Sequence, residues 1–141
     1  MKTFVVAKVL VVNNLGELLL LRRSQSDERR PGEWDIPGGW VEDGEDILAA
    51  ALRETQEEAG LKVDNARLVF AITEPVEPEY GSGTWVVFME KVYDRPPVTL
   101  SDEHDHYTWM PMKAALEEVK YHRQKKMIQY VIDNGIFGDD D

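Results

Sequence analysis

From Phe4 to Val12 the chain is an almost unbroken Val-rich apolar run, broken only by Lys8, which predicts a strand covered on both faces. Asn13-Asn14-Leu15-Gly16 reads as a turn and Glu17 to Arg23 as a second strand, so the two predict a hairpin. Ser24 to Glu33 is polar, with Pro31-Gly32 closing a loop, and Pro37-Gly38-Gly39 marks another tight backbone feature. Helical spacing takes over from Asp46 to Ala59: Asp43, Glu45 and Asp46 crowd the start, where carboxylates suit the helix dipole, and Gly60 stands where a C-terminal cap belongs. Lys62 to Ile72 and Thr84 to Tyr93 read as strands flanking a Pro- and Gly-containing loop, Glu74 to Gly83. Tyr107 to Met110 predicts a short strand, and Lys113 to Val119 with His122 to Asn134 predict C-terminal helices stopped by Gly135. Strands, a helix, more strands and then helices predict an α/β fold, a mixed sheet with helices on both faces.

No repeat, linker or low-complexity stretch divides residues 1–141, so one domain is expected, with Asp139-Asp140-Asp141 as a solvated acidic tail. The absence of cysteine excludes disulfides and thiolate metal sites and fits a cytoplasmic setting. Lys8 and Asn13-Asn14 break the N-terminal apolar run too early for a signal peptide, and no run approaches the ~18 apolar residues of a membrane span. A formal net charge of −11 argues against a nucleic-acid polymer as partner. Any anionic substrate must therefore be received where a divalent cation inverts the local sign.

The segment Gly39 to Leu61, GWVEDGEDILAAALRETQEEAGL, carries the chemistry. At ~100° per residue, Glu57 and Glu58 fall about −60° and +40° from Glu54, so three carboxylates share an arc of about 100°. Leu48, Ala51, Leu52, Thr55 and Ala59 form the core-facing stripe, and Arg53 stands one turn before Glu57, placed to pair with it. Crowded carboxylates repel unless a cation holds them, and hard oxygen ligands select Mg²⁺ or Mn²⁺ over zinc. Such an ion binds diphosphate oxygens and acidifies an attacking water, so the pattern points to phosphoanhydride hydrolysis. Calcium binding of the EF-hand kind fails around Gly44, because the acidic residue required five positions earlier is Gly39.

This segment resembles the Nudix box, Gly-x5-Glu-x7-Arg-Glu-U-x-Glu-Glu-x-Gly-U, where U is a bulky apolar residue. Gly39, Glu45, Arg53, Glu54, Glu57, Glu58 and Gly60 fill the fixed positions and Leu61 the last U, while Thr55 departs from the first. Pro31-Gly32-Glu33-Trp34-Asp35-Ile36-Pro37-Gly38-Gly39 and Glu103-His104-Asp105 with Trp109 are similar to segments flanking the box in the Nudix hydrolase family. The resemblance implies the Nudix fold, an α/β/α sandwich around a mixed β-sheet. It also implies an enzyme cutting the diphosphate linkage of a small nucleotide-like substrate with Mg²⁺ or Mn²⁺. Glu54, Glu57, Glu58 and the main-chain carbonyl of Gly38 would be metal ligands, Gly39 would let main chain approach substrate, Glu45 would support the site, and Arg53 would fix a glutamate. The resemblance implies a general base that is Glu54 or, from a downstream loop that His104 would orient, Glu103; these alternatives stay open.

By the same resemblance Arg22 or Arg23 reaches substrate phosphate, with Arg23 favoured. Nucleoside triphosphates, oxidised ones among them, are the favoured substrates, giving monophosphate and pyrophosphate; the compact size and the Arg22-Arg23 placement carry that lean. ADP-ribose or nucleotide sugars are the alternative, a nucleotide-sensing module without catalysis is the non-enzyme alternative, and a homodimer is compatible with the family. Trp34, Trp40, Trp85 and Trp109 read mainly as packing residues, with Trp40 the one to test as a base-stacking ring, and His104 and His106 read as loop or surface residues rather than metal ligands. Tyr80, Pro75 and Pro78 give conflicting substrate hints.

Overall fold

The computed structural model describes residues 3–76 and 81–136. Among the described residues seven strands form one sheet: β1 (Thr3–Asn13), β2 (Glu17–Arg23), β3 (Trp34–Asp35), β4 (Gly38–Trp40), β5 (Arg67–Pro75), β6 (Ser82–Val92) and β7 (His104–Pro111). The main path runs β3-β2-β1-β6-β5, with β4 paired to β1 and β7 to β2. β1 and β6 run parallel over their whole length, from Thr3↔Ser82 to Asn13↔Val92, while the other pairings are antiparallel. The sheet is mixed, as expected.

Helices cover both faces. Alternate β1 residues Ala7, Val9 and Val11 pack with Leu19 and Leu21 against Ala51 and Ala59 of α1 (Ile47–Ala59). The intervening Val6, Leu10 and Val12 join Leu18 and Leu20 beneath Met112 and Ala115 of α2 (Met112–Glu118) and Met127, Ile128 and Val131 of α3 (His122–Asp133). This two-sided burial explains why β1 lacks the polar alternation of a one-faced strand. Among the described residues no helix is long and apolar enough to cross a membrane.

Some boundaries moved. Residues 62–66 are not strand: Leu61 and Val63 are buried as loop residues, and β5 begins at Arg67. β7 starts earlier than expected, at His104, and a register shift between Arg22 and Arg23 lets the β2–β7 pairing reach it. On α1, Ala51, Thr55 and Ala59 are sealed as the stripe required, but Leu48 stays 38% exposed because close packing begins only at Ala50 and Ala51. Thr55 tolerates its buried place by donating its hydroxyl to the Ala51 carbonyl at 2.8 Å. Tyr80, Pro78 and Asp139-Asp140-Asp141 lie outside the described residues; Pro75 ends β5.

Both ends of α1 are fixed by caps. Asp46 accepts from the Ala49 N–H at 3.0 Å, and Gly60 adopts φ 68° while its N–H reaches the Gln56 carbonyl. A Cβ on Gly60 would also stand 3.0 Å from the Thr99 Cβ. Gly60→Ala is therefore expected to cost about 1–2 kcal/mol, the price of a left-handed conformation for an L-residue, measured by urea denaturation. Turnover per folded molecule should stay unchanged.

Candidate active site

The segment between β3 and β4 brings main chain against α1. Gly38 holds φ 137°, and a Cβ there would fall 2.1 Å from the Ala7 carbonyl oxygen, so no side chain fits. Its N–H donates to Glu58 Oε1 at 3.1 Å. Next door, a Cβ on Gly39 would lie 2.8–2.9 Å from the Glu54 carboxylate. The two glycines thus form a floor on which two helix carboxylates rest directly.

The three box glutamates are not equivalent. Glu58 is buried, Glu54 half-buried and Glu57 exposed. Burial pushes the Glu58 carboxyl well above the ordinary carboxylate range, Asp35 and Glu54 add repulsion, and Lys8 and the Gly38 N–H pull only partly the other way. Arg53 gathers the acids on the solvent side: Nε to Glu45 at 2.7 Å, Nη2 to Glu45 at 3.1 Å, and Nη1 to Glu57 at 3.2 Å and Glu54 at 3.3 Å. Glu45 also accepts the Glu42 N–H at 3.1 Å, tying the approach loop to the same guanidinium. The Arg53–Glu57 pair expected from helical spacing is present, and Arg53 orients Glu45 and Glu54 as well.

Among the described residues no three or more His, Cys, Asp or Glu side chains converge closely enough to hold a metal, and Glu57 is paired with Arg53. The carboxylates that do come together over the glycines are Glu54 and Glu58, Glu54 against Gly39 and Glu58 on the Gly38 N–H. Hard carboxylate oxygens of this kind suit a small divalent cation.

A cavity of about 560 Å³ opens over this floor. Glu54, Glu58, Gly38 and Gly39 line it together with Arg23 and Glu103, whereas Arg22 points away to Asp105 at 2.8 Å. Trp40 lines it too, 52% exposed and stacked on Phe4 with ring centroids 4.6 Å apart, while Trp85, edge-on to Phe4, lines it as a buried residue. Trp34 and Trp109 are half-buried packing residues, and His106 lies on the exposed side near Trp34.

Beneath the cavity lies a polar hub that spacing did not reveal. Asp35, 2% exposed, receives Arg23 Nη1 and His104 Nε2 at 3.2 Å each and Gln124 Nε2, with Lys8 Nζ at 3.5 Å. Lys8 also donates to the Ile36 carbonyl at 2.8 Å and lies 3.5 Å from the Gly38 carbonyl, and Gln124 accepts the Ile36 N–H at 3.0 Å. Desolvation opposes the charge on Asp35, yet Lys8 and the donors around it hold the carboxyl far below its ordinary range. His104 is thus an anchor of the Glu103 loop, and the Glu103 main-chain carbonyl in turn accepts the Ser24 N–H at 3.0 Å. Two signals were present in the sequence: Lys8 inside an apolar strand, and Gln124 on the apolar stripe of α3.

Gly39→Ala tests the floor. The new methyl would displace the flexible Glu54 carboxylate rather than backbone, so turnover is expected to fall about 100-fold, the scale for misplacing a catalytic group by ~1 Å, with the melting temperature little changed.

The family model described as NUDIX domain matches residues 2–131. A bis(5'-nucleosyl)-tetraphosphatase [asymmetrical] from Sus scrofa is 34% identical over 126 residues, covering 84% of this chain and 80% of the relative. A MutT protein from Methanosarcina mazei Go1 superposes with a TM-score of 0.80 at 27% identity, covering 94% of this chain and 96% of its own. A C. elegans Ap4A hydrolase, solved as a binary complex, gives 0.74 at 25% identity over 92% and 96% of the two chains.

Proposed function

The chain belongs to the Nudix family as a pyrophosphohydrolase of nucleoside diphosphate derivatives, and from that premise we propose that it cleaves nucleoside polyphosphates with a divalent cation, Mg²⁺ or Mn²⁺, held at the Gly38–Gly39 floor. The observation that carries this reading is the contact of Glu54 and Glu58 with the two glycines on one wall of a cavity that could hold a nucleotide. Nudix enzymes generally use divalent ions, and the donor set is of the matching kind.

Glu58, Glu54 and the Gly38 carbonyl would hold the ion, with Glu57 joining if it exchanges its ion pair with Arg53 for the ion. When bound, the cation supplies charge stabilisation to the phosphate oxygens and acidifies water. The chain's own residues do the rest. Arg53 keeps Glu45, Glu54 and Glu57 from splaying apart. Arg23, braced by Asp27 and Asp35, presents its guanidinium to a substrate phosphate. The proton of the attacking water goes to Glu54 or Glu103, both of which line the cavity without being sealed by packing. Trp40 offers a ring face to a base.

Within the polyphosphates, nucleoside triphosphates, oxidised ones included, remain the favoured substrates, releasing monophosphate and pyrophosphate. A dinucleoside tetraphosphate is the second reading, favoured by the activity named for the Sus scrofa relative. A panel of triphosphates, dinucleoside tetraphosphates, ADP-ribose and nucleotide sugars, assayed with Mg²⁺ for phosphate and pyrophosphate, tests both. Hydrolysis of the polyphosphates ahead of the others is expected. Turnover of ADP-ribose or nucleotide sugars alone would overturn the substrate reading, and calorimetric binding with no hydrolysis of any member would establish a sensing module.

A further inference from the structure

We infer that Arg29, Arg30 and Tyr121 form a second anion subsite on the cavity wall, built for phosphates beyond the cleaved anhydride; this rests on the polyphosphate reading above and narrows it. Arg29 and Arg30 sit in the loop joining β2 to β3, and that loop is closed at both ends. Arg23 donates its N–H to the Glu33 carbonyl at 2.8 Å and accepts the Gly32 N–H at 2.9 Å, and the Arg30 carbonyl accepts the Glu33 N–H at 3.3 Å. Asp27 turns the middle of it, accepting the Arg29 and Arg30 N–H groups at 2.9 Å each. Its other oxygen takes Arg23 at 2.5 Å. Although burial disfavours its charge, these donors bring its carboxyl down to about 2, so it stays ionised near neutrality.

The charge of Asp27 is therefore committed to backbone and to Arg23, and it leaves the two neighbouring guanidinium groups uncompensated. Among the described residues neither Arg29 nor Arg30 has a carboxylate within ion-pair distance. Arg30 Cζ lies over the Tyr121 ring, 4.0 Å from its centroid, and its Nη1 is buried without a hydrogen-bond partner. Arg23 Nε is in the same condition. Arg123 flanks the other side of the wall, over Trp85 at 4.2 Å and within reach of Tyr121, but its charge is met by Glu74. All of these arginines and Tyr121 line the cavity that contains Glu54 and Glu58, as do the exposed Asp102 and Glu103.

Loop anchoring alone would explain Arg30 resting on Tyr121. It does not explain why Arg30 Nη1 is left without an acceptor, a costly condition for a guanidinium N–H. Nor does it explain two uncompensated guanidiniums side by side in a chain of net charge −11. Planar guanidinium forks match phosphate oxygens, and stacking on tyrosine fixes the fork before ligand arrives. The cavity thus offers uncompensated guanidinium charge apart from the Glu54–Glu58 pair. A polyphosphate chain extending past the cleaved anhydride brings anionic oxygens to it, whereas the neutral sugar of ADP-ribose or a nucleotide sugar brings no charge to the arginine wall.

Calorimetric titration with inorganic tripolyphosphate, in chelator so that no divalent cation contributes, reads the arginine wall by itself. Arg30→Ala and, because that residue also packs, the exposed Arg29→Ala are each expected to weaken tripolyphosphate about tenfold, with Arg30→Lys restoring only part. In the Mg²⁺ assay the same variants should raise KM for a nucleoside triphosphate about tenfold, change kcat less than twofold, and leave KM for ADP-ribose unmoved. Unchanged tripolyphosphate affinity in both alanine variants would overturn the subsite, whatever happens to their melting temperatures. If no substrate is hydrolysed at all, the titration still decides the subsite, so its failure and that of the catalytic reading remain separate.

Discussion

Glu58→Gln should lower turnover by at least about 100-fold and leave the fold standing. The size follows from removing a charged ligand at a site that stabilises transition-state charge, where single deletions cost about 10²–10³ in rate. Folding should survive because the amide oxygen of Gln can accept the Gly38 N–H that Glu58 accepts now, at 3.1 Å. Burial already disfavours the Glu58 carboxylate, so a neutral side chain of the same shape costs the cation-free protein little. Steady-state kinetics beside thermal denaturation separates the two effects. Turnover within threefold of the parent, on protein of normal stability, would remove Glu58 from the site.

Asp35→Ala is expected to act through the fold, destabilising by about 3–5 kcal/mol, the scale for breaking a buried ion pair by removing one partner. Four side chains from four elements converge on Asp35, and Lys8 would be left as a buried ammonium holding only carbonyl oxygens. The gentler Asp35→Asn supplies the pH test. The native carboxyl of Asp35 is held below its ordinary value, so its charge contributes stability that is fully present above the unfolded-state pKa of about 4. That contribution fades as pH falls from there towards the depressed native value. Urea denaturation should therefore show wild type well above Asp35→Asn at pH 7 and the gap narrowing below pH 4. A gap that widens on acidification would contradict the sign.

Much of this was legible in the sequence because it is local. β1, β2, the hairpin turn and α1 with its cap at Gly60 follow from apolar runs and turn residues, and helical spacing placed Glu54, Glu57 and Glu58 on one arc of the helix with Arg53 one turn before Glu57. β3 and β4 escaped because two or three residues carry no periodicity, although they lay the glycine floor. Leu61 and Val63 alternate with polar neighbours like a strand, but they are buried as a loop after α1. Helical spacing also treated Glu57 and Glu58 alike, and only the packing separates a buried carboxylate from one held outward by Arg53. The Asp35 hub lay further out of reach. Lys8 and Gln124 each stand out as polar residues on apolar surfaces, yet nothing in their spacing says that both meet Asp35, 27 and 89 positions away. The same holds for Arg30 and Tyr121, which the β2–β3 loop and the residue capping α3, far apart in the sequence, bring together.

The most direct test of cation binding at the glycine floor is a Mn²⁺ titration followed by electron paramagnetic resonance, with a non-hydrolysable α,β-methylene nucleotide present. Wild type should take up Mn²⁺, and Glu54→Gln and Glu58→Gln should each weaken that uptake at least tenfold without unfolding. Equal Mn²⁺ uptake by all three proteins would contradict a divalent cation on these carboxylates.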